Sequence, residues 1–323
     1  TGEILVMVGS VDYWDKSIDG QVNIAVSPRM PGSAIKPFTY VTAFQRGYVP
    51  GTQIVDQPTY FWQGPAQGPY APGNHDGRYH GLLTIRRALA PSMNIAAVMT
   101  LNEVGVPAML ETAHRMGITT MEDPRKYGLS VTLGAGDVKL LDITYAYQAF
   151  ANGGKQVGEP VPLPQRRPGM REYDPVAILK IVDSRGNTVY EYHPPEGKQV
   201  ITPQEAWLIT DVLSDDDAHA PTYGYNSFLV LDRPAAAKTG TTEFYQDGWT
   251  IGYTTDLLTG VWTGNADASR MKGVMGVSGA GVIWHNFMIP AHQYLNLPPR
   301  AFPIPPGVAR GTQCGSLDWY IVG

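Results

Sequence analysis

Apolar positions along this chain fall into two kinds of run. Short β-prone runs lie towards its two ends, and longer stretches with helical spacing fill its middle. Residues 3–8 (EILVMV), closed by Gly9, read as a buried strand. A loop through Pro28, Pro31 and Gly32 leads into a helical run over 34–45, which puts Ser33 at a helix start. From 50 to 81 the chain is dense in Gly, Pro and aromatic residues with little period of either kind, as expected of a long surface excursion packed by its own rings. Residues 82–89 and 93–104 read as helices broken apart at Ala90, Pro91 and Ser92, because proline disfavours helix at the residue before it. That break places Ser92 at a second helix start. Helices follow over 107–116 and 138–151, the latter stopped by Asn152, Gly153 and Gly154.

Residues 177–182 and 188–192 flank a Gly-containing turn and predict a hairpin. Thr202, Pro203 and Glu205 form a capping box with proline at the first helical position, opening a helix to about residue 213. Runs at 235–242, 249–254 and 260–263 predict three antiparallel strands. A last helix over 282–294 precedes a Pro-rich tail that wraps the surface or is disordered. Strands from both ends with helices between them make an α+β domain, its antiparallel sheet covered by those helices.

Composition narrows the function. At 323 residues the chain buries a core without disulfides or metals, and 43% hydrophobic against 16% charged residues, with Gly 36 and Pro 27, excludes wholesale disorder and a coiled coil. A formal net charge of -5 supplies no positive field for nucleic acid or an anionic membrane. The lone Cys314 makes neither an intrachain disulfide nor a Cys-rich zinc site. No apolar stretch approaches the ~18 to 20 residues that span a bilayer. Because the chain opens without an initiator Met on a strand-like run, an upstream portion carrying any membrane anchor is expected.

Three short motifs carry chemistry. In Ser33-Ala34-Ile35-Lys36, residues three apart share a helix face, so the Lys36 amine can reach the Ser33 hydroxyl and take its proton once its pKa falls. Helix-start N–H groups add a place for a developing oxyanion. The spacing alone is weak, and Ser269 to Lys272 repeats it in what reads as a solvated loop. Ser92-Met93-Asn94 at the helix break and Lys238-Thr239-Gly240 on a β-prone segment complete the set known from serine β-lactamases and penicillin-binding proteins. Ser92 can relay a proton, Asn94 can hold an amide, and Lys238 can draw a carboxylate while depressing the pKa of Lys36. Gly240, lacking a side chain, lets a substrate lie along the strand edge.

Over residues 1 to about 288 the chain resembles the transpeptidase domain of class A, bifunctional penicillin-binding proteins. The matching blocks, in order, are TGEILVMVGS, PGSAIKPF, YAPGNHD, LTIRRALAPSMNIAAV, SVTLGAGDVKLLDITYAYQAFANGG, KTGTTEFYQDGWTIGYT and GVWTGN. The resemblance implies the penicillin-binding protein and serine β-lactamase-like fold, an antiparallel sheet covered by helices with an all-helical subdomain. It implies a transpeptidase domain over 1–295 and a separate Pro-rich tail over 296–323. It further implies that Ser33 attacks the penultimate D-alanyl carbonyl of a peptidoglycan stem peptide, with Lys36 as base and Ser92, Asn94 and Lys238 assisting. The oxyanion hole would be the N–H groups of Ser33 and Thr241, and the hydroxyls of Thr239 and Thr241 would meet the terminal carboxylate beside Gly240. An amine acceptor would resolve the acyl-enzyme, β-lactams would acylate Ser33, and the site would lie in the cell envelope outside the membrane. No cofactor and no metal is implied. The family's anchor and glycosyltransferase domain are not in this sequence.

Rival readings are thinner. His75 and His80 lack the partners of a metal site, Gly134-Ala135-Gly136 lacks the third glycine of a nucleotide loop, and no GxSxG occurs. Tyr60, Phe61, Trp62 and Tyr70 read as loop packing rather than a sugar platform. A β-lactamase would need a water-activating group, and no ExxLN segment is present. A D,D-carboxypeptidase shares every catalytic residue and uses water as acceptor; a β-lactam sensor would acylate and signal through a partner.

Overall fold

The computed structural model describes residues 1–62, 68–313 and 315–322; Cys314 lies outside them. The fold is built around a helix with no solvent face. Gly32–Ile35 forms a 3-10 turn that runs directly into α1, Lys36–Phe44, all nine residues of which are buried. Pro37 fits because the first turn has no use for its missing N–H. A helix apolar on every side belongs at a core. Around it lie α2 (Ile85–Leu89), α3 (Asn94–Val104), α4 (Val106–Met116), α5 (Leu140–Ala151) and α6 (Pro203–Leu213). Phe38 of α1 meets the rings of Tyr147 and Phe150 on α5, both at 5.9 Å. The capping box of α6 is present, with Thr202 N–H donating to Glu205 at 2.8 Å and Glu205 N–H to Thr202 Oγ1 at 3.2 Å.

One face of a three-stranded antiparallel sheet closes this core. Ala236–Thr241 pairs with Asp247–Tyr253, which pairs with Leu258–Gly264. The central strand is buried throughout. Trp249, Ile251 and Tyr253 belong to the helical core, and their cross-strand partners are Gly240, Lys238 and Ala236. Opposed residues of an antiparallel pair share a face, so Lys238 points at the helices, and Thr239 and Thr241 point away. The far face is covered by α8, Ala280–Tyr294, whose buried Trp284 lies where a side chain at Gly252 would be. A short α7, Asp216–Tyr223, follows α6 and packs against α2, and the exposed hairpin Lys180–Val182 with Thr188–Glu191 forms as its β-rich runs around a Gly-containing turn predict.

Three expectations are corrected. Residues 3–8 are not a buried strand: Leu5, Val6 and Val8 are exposed, and a single bridge joins Glu3 to Val176. β-Prone residues form a ladder only where a neighbour offers an edge, and among the described residues the sheet draws all its strands from beyond residue 235. The run 82–89 divides, because Gly81–Thr84 pairs with Gln53–Asp56 and the Thr84 hydroxyl then accepts from Arg87 N–H at 3.2 Å to start α2. Beyond the Pro-rich stretch, Val308–Gln313 and Ser316–Ile321 form a hairpin. It seats Trp319 edge-on to Trp207 of α6 with centroids 4.7 Å apart. Gly311 and a charged Asp318 inside the run blur the alternation that would have announced these strands.

Candidate active site

Backbone, more than side chains, sets the place of Ser33. Gly32 has φ +54, and a β-carbon on it would lie 2.6 Å from the Thr241 carbonyl oxygen and 2.7 Å from Thr241 N. A β-carbon on Gly134 would fall on Gly32, one on Gly240 on the Pro31 carbonyl, and one on Gly276 on the Gly240 carbonyl. The turn bearing Ser33 is thus pressed between a loop and the Ala236–Thr241 strand at main-chain distance. Trp249 Nε1 holds the approach by donating to Met30 O at 2.8 Å. Ser33 is half-buried at this turn, and the preceding Gly32 lies against the main chain of Thr241. The missing side chain of Gly240 therefore makes room for the serine turn.

Ser92 sits two residues before α3 with φ 70, a conformation costly for a residue with a β-carbon, held by Ser92 N–H to Leu89 O at 3.1 Å and Met93 N–H to Ala88 O at 2.8 Å. Two buried ammonium groups converge there. Lys36 Nζ donates to Ser92 O at 2.6 Å, Asn94 Oδ1 at 2.7 Å, Met93 O at 3.1 Å and Ser92 Oγ at 3.3 Å. Lys238 Nζ donates to Ser92 Oγ at 2.9 Å and Thr239 O at 3.0 Å. Lys36, Ser92, Asn94 and Lys238 are thereby one hydrogen-bonded cluster. Among the described hydrogen bonds, Lys36 reaches across to the Ser92 turn and not back to Ser33. Burial holds Lys36 well below its ordinary value, and the Lys238 charge adds to this. Burial alone brings Lys238 down to about 7. Lys238 is therefore placed to exchange a proton near neutral pH, and Lys36 holds its proton far less tightly than an exposed lysine.

Of the remaining predicted residues, Thr239 is buried, and Thr241 is half-buried with its Oγ1 accepting from Gly276 N–H at 2.9 Å. Ser269 and Lys272 are exposed in a loop far along the chain from this cluster. Exposed His80 pairs with Asp76 at 3.0 Å, and exposed His75 meets the Tyr245 ring at 6.4 Å. Tyr60 and Trp62 are exposed, Tyr70 is half-buried, and Phe61 is turned inward.

Three participants escaped the sequence reading. Asn74 Oδ1 accepts from Asn94 N–H at 2.8 Å and Ile95 N–H at 3.2 Å, capping α3 from a distant loop where Met93 cannot. Asp56 fixes Asn74 in turn, accepting from its Nδ2 at 2.7 Å. A remote cap leaves no local spacing to read, though YAPGNHD was already singled out as a block. The third is Tyr223, whose hydroxyl shares a 2.8 Å hydrogen bond with Thr239 Oγ1. Its helix was overlooked because Pro221 lies inside it; the Asp217 carbonyl left without an N–H partner accepts from Arg87 Nη1 at 2.7 Å.

Two buried amines, a serine hydroxyl and an asparagine amide thus meet in one hydrogen-bonded cluster, with Ser33 three residues before Lys36 in the chain. The family model described as the penicillin binding protein transpeptidase domain matches residues 1–277. Penicillin-binding protein 1A of Aquifex aeolicus is 35% identical over 312 residues, covering 95% of this chain and 38% of that protein. Penicillin-binding protein 2D of Bacillus subtilis is 32% identical over 314 residues, covering 95% of this chain and 42% of its own length. The chain thus spans well under half of these relatives. Penicillin-binding protein 1A from Haemophilus influenzae shares the fold at TM-score 0.76 and 23% identity, over 94% of this chain and 50% of that one. PonA1 from Mycobacterium tuberculosis, in complex with penicillin V, does so at 0.72 and 23%, over 91% and 75%. A match across most of the length, joined to a cluster that assembles all three motifs, means that the chain belongs to the penicillin-binding protein transpeptidase family, with class A members among its relatives.

Proposed function

We propose that this chain is a peptidoglycan D,D-transpeptidase that works through an acyl-enzyme on Ser33 and is acylated there by β-lactams. The observation that carries the reading is that Lys36, one turn on from Ser33, meets Lys238 at Ser92. Neutral Lys36 takes the Ser33 proton as Oγ bonds to the penultimate D-alanyl carbonyl carbon. The N–H groups of Ser33 and Thr241 receive the oxyanion. The proton passes through Ser92 to the departing amine as the amide C–N bond breaks, releasing D-alanine and leaving an ester on Ser33. Asn94 orients the substrate amide, and Lys238 with the hydroxyls of Thr239 and Thr241 meets the terminal carboxylate. An amine from a second stem peptide then attacks the ester, giving its proton to the same relay, and a cross-link forms. All of these residues lie within 1–295, and the substrate places the reaction in the cell envelope.

Incubation with a labelled penicillin, mapped by mass spectrometry, tests the reading. One adduct on Ser33 is expected, and none in Ser33→Ala; labelling that persists in the variant removes Ser33 from the role. A D-Ala-D-Ala donor offered with amine acceptors then yields a new amide, where a carboxypeptidase yields free acid alone.

A further inference from the structure

Tyr223 lies outside all three motifs, yet its hydroxyl enters the cleft. α7 is tied to the Ser92 turn by Thr222 Oγ1, which donates to Pro91 O at 2.9 Å, and its last residue delivers the phenol to Thr239 at 2.8 Å. Burial pushes the Tyr223 phenol up, against the opposing hydrogen bond of the Thr239 hydroxyl, so the phenol stays protonated beside Thr239. One turn back, His219 meets the Tyr223 ring edge-on at 5.8 Å. Burial, with the Lys238 charge, brings His219 down to about 4, so this neighbour is neutral and adds no charge to the cleft.

A hydroxyl has one proton to give. If Thr239 gave its proton to Tyr223, none would remain for a substrate carboxylate. A phenol is the more acidic of the two and the better donor, so the shared proton belongs to Tyr223 and the Thr239 oxygen accepts it. We propose that Tyr223 is a positioning residue of the carboxylate subsite: it donates to Thr239, so that the Thr239 hydroxyl is aimed at the substrate's terminal carboxylate. The Thr239 hydroxyl is polarised by the phenol behind it. Tyr223 thereby sets preference for acyl donors whose leaving group is anionic. The proposal rests on the acyl-enzyme reading above.

Two D-alanyl thioesters with the same acyl group test it, one leaving as thioglycolate and one as its uncharged primary amide. Rates of adduct formation on Ser33 are measured in the full chain. Tyr223→Phe keeps the ring and is expected to lower the carboxylate-over-amide preference about tenfold, the scale of one hydrogen bond to a charged group. Thr239→Val lowers it likewise, and the double variant falls no further than Thr239→Val alone. An unchanged preference in Tyr223→Phe overturns the proposal, whether both rates hold or both fall together as a structural role would make them, and the Ser33 adduct then leaves the acyl-enzyme reading standing. A wild-type chain that neither thioester acylates at Ser33 sinks that reading, and this one with it.

Discussion

Lys36 and Lys238 are nearly inaccessible to solvent, and each satisfies its ammonium with oxygen atoms of the Ser92 turn. Burying two like charges side by side lowers stability and tunes reactivity together. An unfolded Lys238 keeps its proton to about pH 10.4, while the folded one gives it up at about 7. Between those values the unfolded state binds the extra proton, so this group makes stability rise with pH by up to about 1.4 kcal/mol per unit; below 7 its cost is constant. Lys238→Met is accordingly more stable than the wild type at pH 6 in urea unfolding, with an advantage that shrinks between pH 7 and 10, while penicillin acylation is lost. An advantage independent of pH would mean that the amine is not shifted. The identity of these lysines was legible in the sequence, as was the depression of Lys36 by Lys238. The direction of Lys36 was not, since i,i+3 spacing says which residues share a helix face and nothing about oxygens contributed from across the cleft.

At the scale of elements, α3 begins without a capping side chain of its own, and the loop holding Asn74 closes that end. Asn74→Ala removes the acceptor from two N–H groups and leaves Asp56 buried without its amide partner. A loss of about 1–3 kcal/mol in unfolding free energy is expected. Because the same turn carries Ser92 and Asn94, penicillin acylation slows more than ten-fold; full-rate acylation in a destabilised variant would separate the cap from the site. Local signals served the sequence reading well where the cause is local. The capping box at Thr202, the strands around Lys238 and the exposed hairpin near residue 183 were all legible. What escaped depends on partners far along the chain: Asn74 acts twenty residues away from Asn94, and residues 3–8 look like a strand because of their composition and lie exposed because no edge meets them.

Across the whole molecule, Arg86 joins three parts of the chain. It binds Asp215 at 2.9 Å and Asp318 at 2.6 Å and also pairs with Asp211, so that α2, the α6–α7 junction and the C-terminal hairpin meet on one guanidinium. Removing the cation leaves three carboxylates facing one another. Arg86→Met should lose roughly 3–5 kcal/mol, as breaking a largely buried pair does, and the deficit should narrow at pH 5, where Asp211, held above the ordinary carboxylate value by burial, takes up a proton and relieves the repulsion. Thermal unfolding at pH 8 and pH 5 reads both effects; an equal deficit at the two values would show that the packing of Trp319 on Trp207, not the charges, holds the hairpin.

Where Gly32, Gly134, Gly240 and Gly276 layer their peptide planes with no side chain between them, the spacing is set by the thickness of the polypeptide itself. Such a seat cannot be retuned by small adjustments. Exchange of any of these glycines for even the smallest alternative wedges the Ser33 turn out of line; on the proposed acyl-enzyme reading, variation that alters inhibitor sensitivity while sparing cross-linking has to arise at the rim of the cleft, in loops whose side chains can be traded freely.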